Sequence, residues 1–303
     1  MKQRVLSAVG VLLCAGAAVA EGSCEPASDI GFGPIELRLI GEHRVPADAD
    51  YHGTRIGGLS GIDFDPDWGY LVAISDDKGQ YAAPRAYLGQ IELADDRIVG
   101  LEWTNMLPIT IGTGELIDVP LDPEGIRFIP HGDEFGEPTL LFVSEGDANR
   151  GVEPRLYEMC SGATRMDEWP APKTHVAKSA RSRSGVRHNR AFESVAVVGD
   201  RVAVVANEEP LRQDGDELVR LTTYDLHEPL AEPISEIAYP LGPAPDGLVV
   251  SSTGLVDLLA LDGGRLLALE RSFSPAGRFG ARLYVVEPSG ATDVLGAASL
   301  RSA

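Results

Sequence analysis

The sequence predicts an all-β chain arranged as a β-propeller. Three observations carry that expectation. Apolar runs of strand length dominate the chain, 34 Gly and 21 Pro punctuate them, and one strand-turn-strand-loop-strand unit recurs four times. Runs such as Leu71-Val72-Ala73-Ile74, Leu140-Leu141-Phe142-Val143, Val202-Ala203-Val204-Val205 and Leu266-Leu267-Ala268-Leu269 are bounded by turn-forming Gly, Pro, Asp and Asn. Such frequent punctuation leaves little room for long amphipathic helices.

The repeat can be followed element by element. Gly58-Leu59-Ser60-Gly61-Ile62-Asp63-Phe64 opens the first unit, a second strand ends at Ser75-Asp76-Asp77, and Arg85-Ala86-Tyr87-Leu88 closes it. The second unit opens at Asp122-Pro123-Glu124-Gly125-Ile126, turns at Ser144-Glu145-Gly146 and closes with Arg155-Leu156-Tyr157-Glu158. The third runs from Ala191-Phe192-Glu193-Ser194 through Ala206-Asn207-Glu208-Glu209 to Leu221-Thr222-Thr223-Tyr224. The fourth runs from Gly254-Leu255-Val256-Asp257 through Leu269-Glu270-Arg271 to Arg282-Leu283-Tyr284-Val285. Aligning Ser60, Glu124, Glu193 and Val256 gives steps of 64, 69 and 63 residues. A β-sandwich has no reason to repeat one three-strand unit at a near-constant period, whereas radial closure of blades does.

The 303 residues carry a formal charge of −20, with 44% hydrophobic residues, enough for a substantial core. An acidic excess of this size argues against nucleic acid as a partner, because phosphate backbones are bound through clustered Lys and Arg. It suits a monomer that repels its neighbours and supplies carboxylates for cations. At the N-terminus Lys2 and Arg4 form a basic head, an apolar run follows, and Ala18-Val19-Ala20 is an A-x-A cleavage site before Glu21. The expectation is a signal peptide over residues 1–20, a single domain over 21–303, a periplasmic or secreted location, and no membrane insertion after cleavage. Cleavage leaves Cys24 and Cys160, either one disulfide in an oxidising compartment or two unpaired thiols.

In a propeller the innermost strands run along a central channel and the loops at one end form a shared mouth. Equivalent repeat positions therefore ring that mouth, and here they are acidic. Glu124 and Glu193 start the first strands, with Asp257 one place later in the fourth unit. Asp76, Asp77, Glu145, Glu208, Glu209 and Glu270 end the second strands. Acids in turns often accept backbone hydrogen bonds, but recurrence at two repeat positions points to a collective site. Gathered carboxylates repel one another unless a hard cation compensates them, and Ca2+ accepts six to eight oxygen ligands. The predicted metal ligands are Asp76, Asp77, Glu124, Glu145, Glu193, Glu208, Asp257 and Glu270. Arg271 and Arg190 lie beside them, either as salt-bridge partners of the acidic ring or as a clamp for an anionic substrate. Glu193, Glu270, Arg271 and Arg190 are the candidate catalytic residues.

Other chemistries find less support. Gly58-Leu59-Ser60-Gly61 lacks the spacing of a nucleophile elbow, so Ser60 reads as a turn residue. The six histidines show no zinc spacing, and there is no P-loop or dinucleotide fingerprint. The basic stretch with Lys178, Arg181 and Arg183 reads as a solvated loop between repeats, or a cover for the mouth.

The motifs Gly57-Gly58-Leu59-Ser60-Gly61-Ile62, Ile74-Ser75-Asp76-Asp77-Lys78-Gly79, Asp122-Pro123-Glu124-Gly125-Ile126, Asn189-Arg190-Ala191-Phe192-Glu193-Ser194 and Leu269-Glu270-Arg271-Ser272-Phe273 stand in this order. Over residues 35–287 the chain resembles the secreted bacterial family named for the esterase-like activity of phytase. The resemblance implies a phytase-like propeller of about five or six blades, incompletely closed if the family's further repeat is missing. It also implies ester or phosphoester hydrolysis, with Asp76, Asp77, Glu124, Glu145, Glu193, Glu270 and Arg271 as the matching motif positions. The expected function is calcium-dependent hydrolysis of a small anionic phosphoester. The alternatives are a non-catalytic calcium-stabilised binding propeller and a carboxyl-ester or lactone hydrolase.

Overall fold

The computed structural model describes residues 35–301 apart from 96, 111–120, 130–138, 161–165, 180 and 246. The residues expected to form a signal peptide, and Cys24, therefore lie outside the described residues. A small hairpin, β1 (Asp50–Tyr51) and β2 (Thr54–Arg55), precedes four antiparallel sheets. Blade 1 is β3 (Leu59–Asp65), β4 (Tyr70–Ser75), β5 (Arg85–Ala94) and β6 (Arg97–Pro108). Blade 2 is β7 (Pro123–Ile129), β8 (Thr139–Ser144), β9 (Arg155–Cys160) and β10 (Met166–Pro170). Blade 3 is β11 (Phe192–Val198), β12 (Val202–Asn207), β13 (Leu218–Asp225) and β14 (Ser235–Pro240). Blade 4 has three strands, β15 (Ser252–Ala260), β16 (Leu266–Phe273) and β17 (Phe279–Val286).

Each sheet is a meander whose first strand is innermost; β3 packs against β7, β7 against β11 and β11 against β15. The chain is a β-propeller, and its described residues form four blades where five or six were expected. The outer strands β6, β10 and β14 were not foreseen. They add an outer edge to blades 1, 2 and 3, and β6 exposes Val99 and buries Leu107 as its only fully sheltered side chain.

The core consists of apolar slabs between blades. Val72, Ile74 and Leu107 of blade 1 pack on Ile126, Phe142 and Tyr157 of blade 2. Leu141, Val143 and Trp169 of blade 2 face Phe192, Val205 and Tyr224 of blade 3. Val204, Leu221 and Tyr239 of blade 3 face Leu255, Leu258 and Leu266 of blade 4. Successive residues of one strand thus serve two different slabs, which is why the buried strands read as continuous apolar runs. Among the described residues no comparable slab joins blade 4 to blade 1.

Arg127 of β7 crosses the centre of the molecule. Its guanidinium donates to the carbonyls of Ile62 (2.9 Å) and Leu258 (2.6 Å) and pairs with Asp257. One buried cation thereby ties blade 2 to the inner strands of blades 1 and 4. The segment after β17 turns back over blade 3. The Val294 N–H donates to the carbonyl of Glu236 (2.8 Å), and the Leu300 N–H to the Asp214 carboxylate (2.9 Å).

Candidate metal centre

A β-bulge interrupts every inner strand, and it falls on the residues that the repeat aligns. Pairing with the second strand skips Ser60 in β3, the Glu124–Gly125 pair in β7, Glu193 in β11 and Val256 in β15. A bulge leaves one residue out of the ladder and re-aims its side chain. Ser60, Glu124, Glu193 and Val256 are thus the same position four times over. Ser60 is a strand residue and not a turn residue, and its hydroxyl donates to Glu124.

The register also shows which second-strand residues are equivalent. Ser75, Ser144, Asn207 and Glu270 pair with the residues just before the bulges, Leu59, Pro123, Phe192 and Leu255. The residues that follow them, Asp76, Glu145, Glu208 and Arg271, therefore share one position around the ring. Opposite these stand Gly58, Asp122, Ala191 and Gly254. Two of the four are glycine, and space there is short: a Cβ on Gly254 would lie 2.5 Å from Glu208 Cγ, and one on Gly58 2.0 Å from Asp76 Oδ1.

Two groups of three carboxylates result. Asp122, Glu124 and Glu145 form one, Glu145, Glu193 and Glu208 the other, with the oxygens of each group all within 4.8 Å of one another. The Glu145 carboxylate is common to both. Its Oε1 accepts the Ala191 N–H (2.9 Å), whereas Oε2 is buried without a hydrogen-bond partner, as is Asp122 Oδ1. Burial and the charge of Glu208 push the Glu193 carboxyl up to about 8. Burial and the charge of Glu193 push Glu124 and Glu145 well above the usual carboxylate range. Burial also raises Asp122, against the pull of Lys78, and Glu208, against the pull of Arg190 and Arg271. Asp76 borders the cluster, raised by burial and by the charge of Asp122.

Acids this close must share protons or a cation. The donor set is all oxygen, and two buried oxygens lack partners, so the residues fit a hard divalent ion such as calcium.

Three expected ligands are used elsewhere. The Asp77 carboxylate accepts from Arg85 (2.9 Å) and from the backbone N–H groups of Gln80 (2.7 Å) and Ala82 (2.9 Å). Burial opposes it, but these donors hold its pKa below the usual range. Asp257 pairs with Arg127 at the molecular centre. Glu270 accepts from the Tyr239 hydroxyl (2.7 Å) and the Gly242 N–H (2.9 Å). It precedes the mouth position by one residue, and in a strand one residue is a change of face. Arg271 holds that position in blade 4, so a cation stands where the other blades carry an acid.

The flanking cations are partnered. Arg190 reaches Glu209 (2.9 Å) and Glu208 (3.1 Å), and Arg271 reaches Glu208 (3.4 Å). Sequence reasoning missed Asp122 and Lys78. The Lys78 ammonium pairs with Asp122 and donates to Asn189 Oδ1 (2.8 Å). No recurrence could have revealed Asp122, whose counterparts are Gly58, Ala191 and Gly254; Lys78 directly follows the paired aspartates and was legible as a candidate.

The solved structures it resembles include the tail fiber of Staphylococcus aureus phage P68, at 12% identity over 78% of this chain and 51% of that one, TM-score 0.32. Trypanosoma rangeli sialidase is similar at 16% identity in its covalent intermediate with 2,3-difluorosialic acid, over 60% of this chain and 32% of that one, TM-score 0.35. The same sialidase with sialic acid gives 13% identity, 76% and 35% coverage and a TM-score of 0.36. The chain thus spans between a third and a half of these proteins' own length, and so distant a likeness carries no chemistry across. No curated protein matches the chain. A family model does match, over residues 54–303 and therefore over all four blades: the chain belongs to the phytase-like family described as esterase-like activity of phytase.

Proposed function

We propose that the protein is an exported, monomeric hydrolase of small phosphate esters that works with calcium at its acidic mouth. The observation that carries the proposal is the pair of carboxylate groups joined at Glu145, with two buried oxygens left unpartnered. The family's description as esterase-like supports hydrolysis. Asp122, Glu124 and Glu145 would hold the ion, which when bound supplies charge neutralisation for a phosphate and a more acidic water.

The remaining work falls to side chains already in position. Glu193, with its pKa near 8, retains a proton at neutral pH when the site is metal-free and can exchange it with a reacting group. Arg271, whose side chain is 48% exposed, and Arg190 are fixed by Glu208 and oriented to receive an anionic group. Lys78, 41% exposed, offers a third positive charge.

The decisive assay uses chelator-stripped protein with p-nitrophenyl phosphate and with inositol phosphates, before and after calcium is restored. Turnover that appears only with calcium supports the proposal, and no turnover of any phosphoester under calcium saturation ends it. A calcium-dependent melting temperature without turnover would instead favour the non-catalytic propeller, and cleavage of p-nitrophenyl acetate alone the carboxyl-ester hydrolase. Among the described residues no helix is long and apolar enough to cross a membrane. Export rests on the basic head and the A-x-A site, and N-terminal sequencing of protein from the periplasm or medium should begin at Glu21.

A further inference from the structure

We infer that a second site, separate from the carboxylate mouth, binds a phosphate-type oxyanion in a cleft formed by Arg183, Arg212 and Arg301. Ser182 and Gln213 complete its lining, and among the described residues no acid contributes to it. Three guanidinium groups with no acid between them are a local reversal in a chain of net charge −20.

The three arginines come from separate parts of the chain, and each part is anchored. Arg183 belongs to the connection between β10 and β11. Arg212 follows β12; its Nη1 donates to the carbonyls of Ser179 (2.7 Å) and Ser182 (3.2 Å), and its backbone N–H to that of Gly185 (3.1 Å). The Gln213 amide fixes the same loops, accepting from the Gly185 N–H (2.8 Å) and donating to the Thr174 carbonyl (3.3 Å). Arg301 is carried by Leu300, whose side chain is buried and whose N–H is held by Asp214. The Ser299 hydroxyl donates to the Gln213 carbonyl (2.7 Å), which closes the arrangement.

The neighbouring acids are turned away. Asp214 is buried against Arg220, at 2.7 and 3.1 Å, and Asp216 pairs with Arg187 at 2.7 Å. Among the described residues neither the Arg183 nor the Arg301 guanidinium has a hydrogen-bond or ion-pair partner, and Arg212 uses Nη1 alone. Like charges gathered this way repel, and a tetrahedral oxyanion answers them with several acceptor oxygens for forked donors. The ligand's shared chemistry is a phosphate group, supplied either by a small soluble molecule or by a lipid headgroup.

The test uses the full chain with calcium chelated, so that no metal at the mouth contributes, and the R183Q/R301Q comparison separates the cleft from the cations of the mouth. Inorganic pyrophosphate is titrated calorimetrically at low and at physiological salt. Sedimentation with phosphatidic acid vesicles, against phosphatidylcholine vesicles, is the second arm. Binding in either arm should weaken with salt, and R183Q/R301Q should lower affinity at least about tenfold, the scale expected for lost charge-assisted hydrogen bonds. Neither of these two arginines supports the fold, so the double variant should melt as the parent does. The successful arm identifies the source of the phosphate. Absence of binding in both arms, or binding that R183Q/R301Q leaves unchanged, overturns the inference. Failure of phosphoester hydrolysis does not bear on it, because the two sites share no residue.

Discussion

Glu145 concentrates the electrostatic problem of the mouth in one side chain, since it belongs to both carboxylate groups and one of its oxygens is buried without a donor. Glu145→Gln should remove a repelling charge from the metal-free protein and a ligand from the metal-bound one. Its melting temperature in chelator at pH 8 should rise by a few degrees, and calcium should no longer raise it, as calorimetric melts would show. Glu193 gives the pH dependence. Its pKa rises on folding from 4.5 to about 8, so the folded chain keeps a proton that the unfolded chain has released. Stability tied to that proton is fully present below about pH 4.5 and lost as pH climbs through 8, because the native state binds more protons over that window. Denaturant melts of the chelated protein should therefore show falling stability from pH 5 to pH 8, while calcium, which prefers ionised ligands, should flatten or reverse the trend.

At the scale of elements, the bulge in each inner strand decides what the mouth contains. The bulge needs close approach between neighbouring inner strands, and glycine allows it. A Cβ on Gly61 would lie 2.3 Å from the Glu124 carbonyl oxygen and 2.8 Å from the Ile126 nitrogen, both backbone atoms that cannot step aside. Gly57, four residues earlier, has nothing within 4 Å of the same added atom. Gly61→Ala should cost about 1–3 kcal/mol in urea denaturation, as overpacking does, and Gly57→Ala within about 0.5 kcal/mol of zero. Equal effects from the two would mean that blades 1 and 2 do not meet as described. Gly61→Ala should also weaken calcium binding, since it displaces Glu124 itself.

For the whole molecule, the blades are joined by three apolar slabs and by one buried cation at the centre. Arg127 is bonded to carbonyls of blades 1 and 4 and to Asp257, so its removal leaves acceptors and a carboxylate uncompensated. Arg127→Met keeps most of the volume and discards the charge. It should cost on the order of 3 kcal/mol. Limited proteolysis should then release blade 4 first, since among the described residues it shares a slab only with blade 3. A loss spread evenly over all blades would contradict this role for Arg127.

The sequence by itself determined the propeller, because a repeat of near-constant period writes its blades into the chain as turns and apolar runs that local chemistry makes readable. It also determined that Glu124, Glu193, Glu145 and Glu208 belong to one place, since equivalent positions in a radial repeat converge. The tertiary structure decided which neighbouring acids fail to join them. Asp77 is drawn to Arg85 and the turn that follows it, and Asp257 and Glu270 stand one residue from the mouth position in their strands, where a single step reverses the face. It alone revealed Asp122, which stands in a position that the other blades fill with Gly58, Ala191 and Gly254. It alone brought Arg183, Arg212 and Arg301 together from three segments. Partners that stand outside the repeat leave no periodic trace, and only folding sets the distance between them.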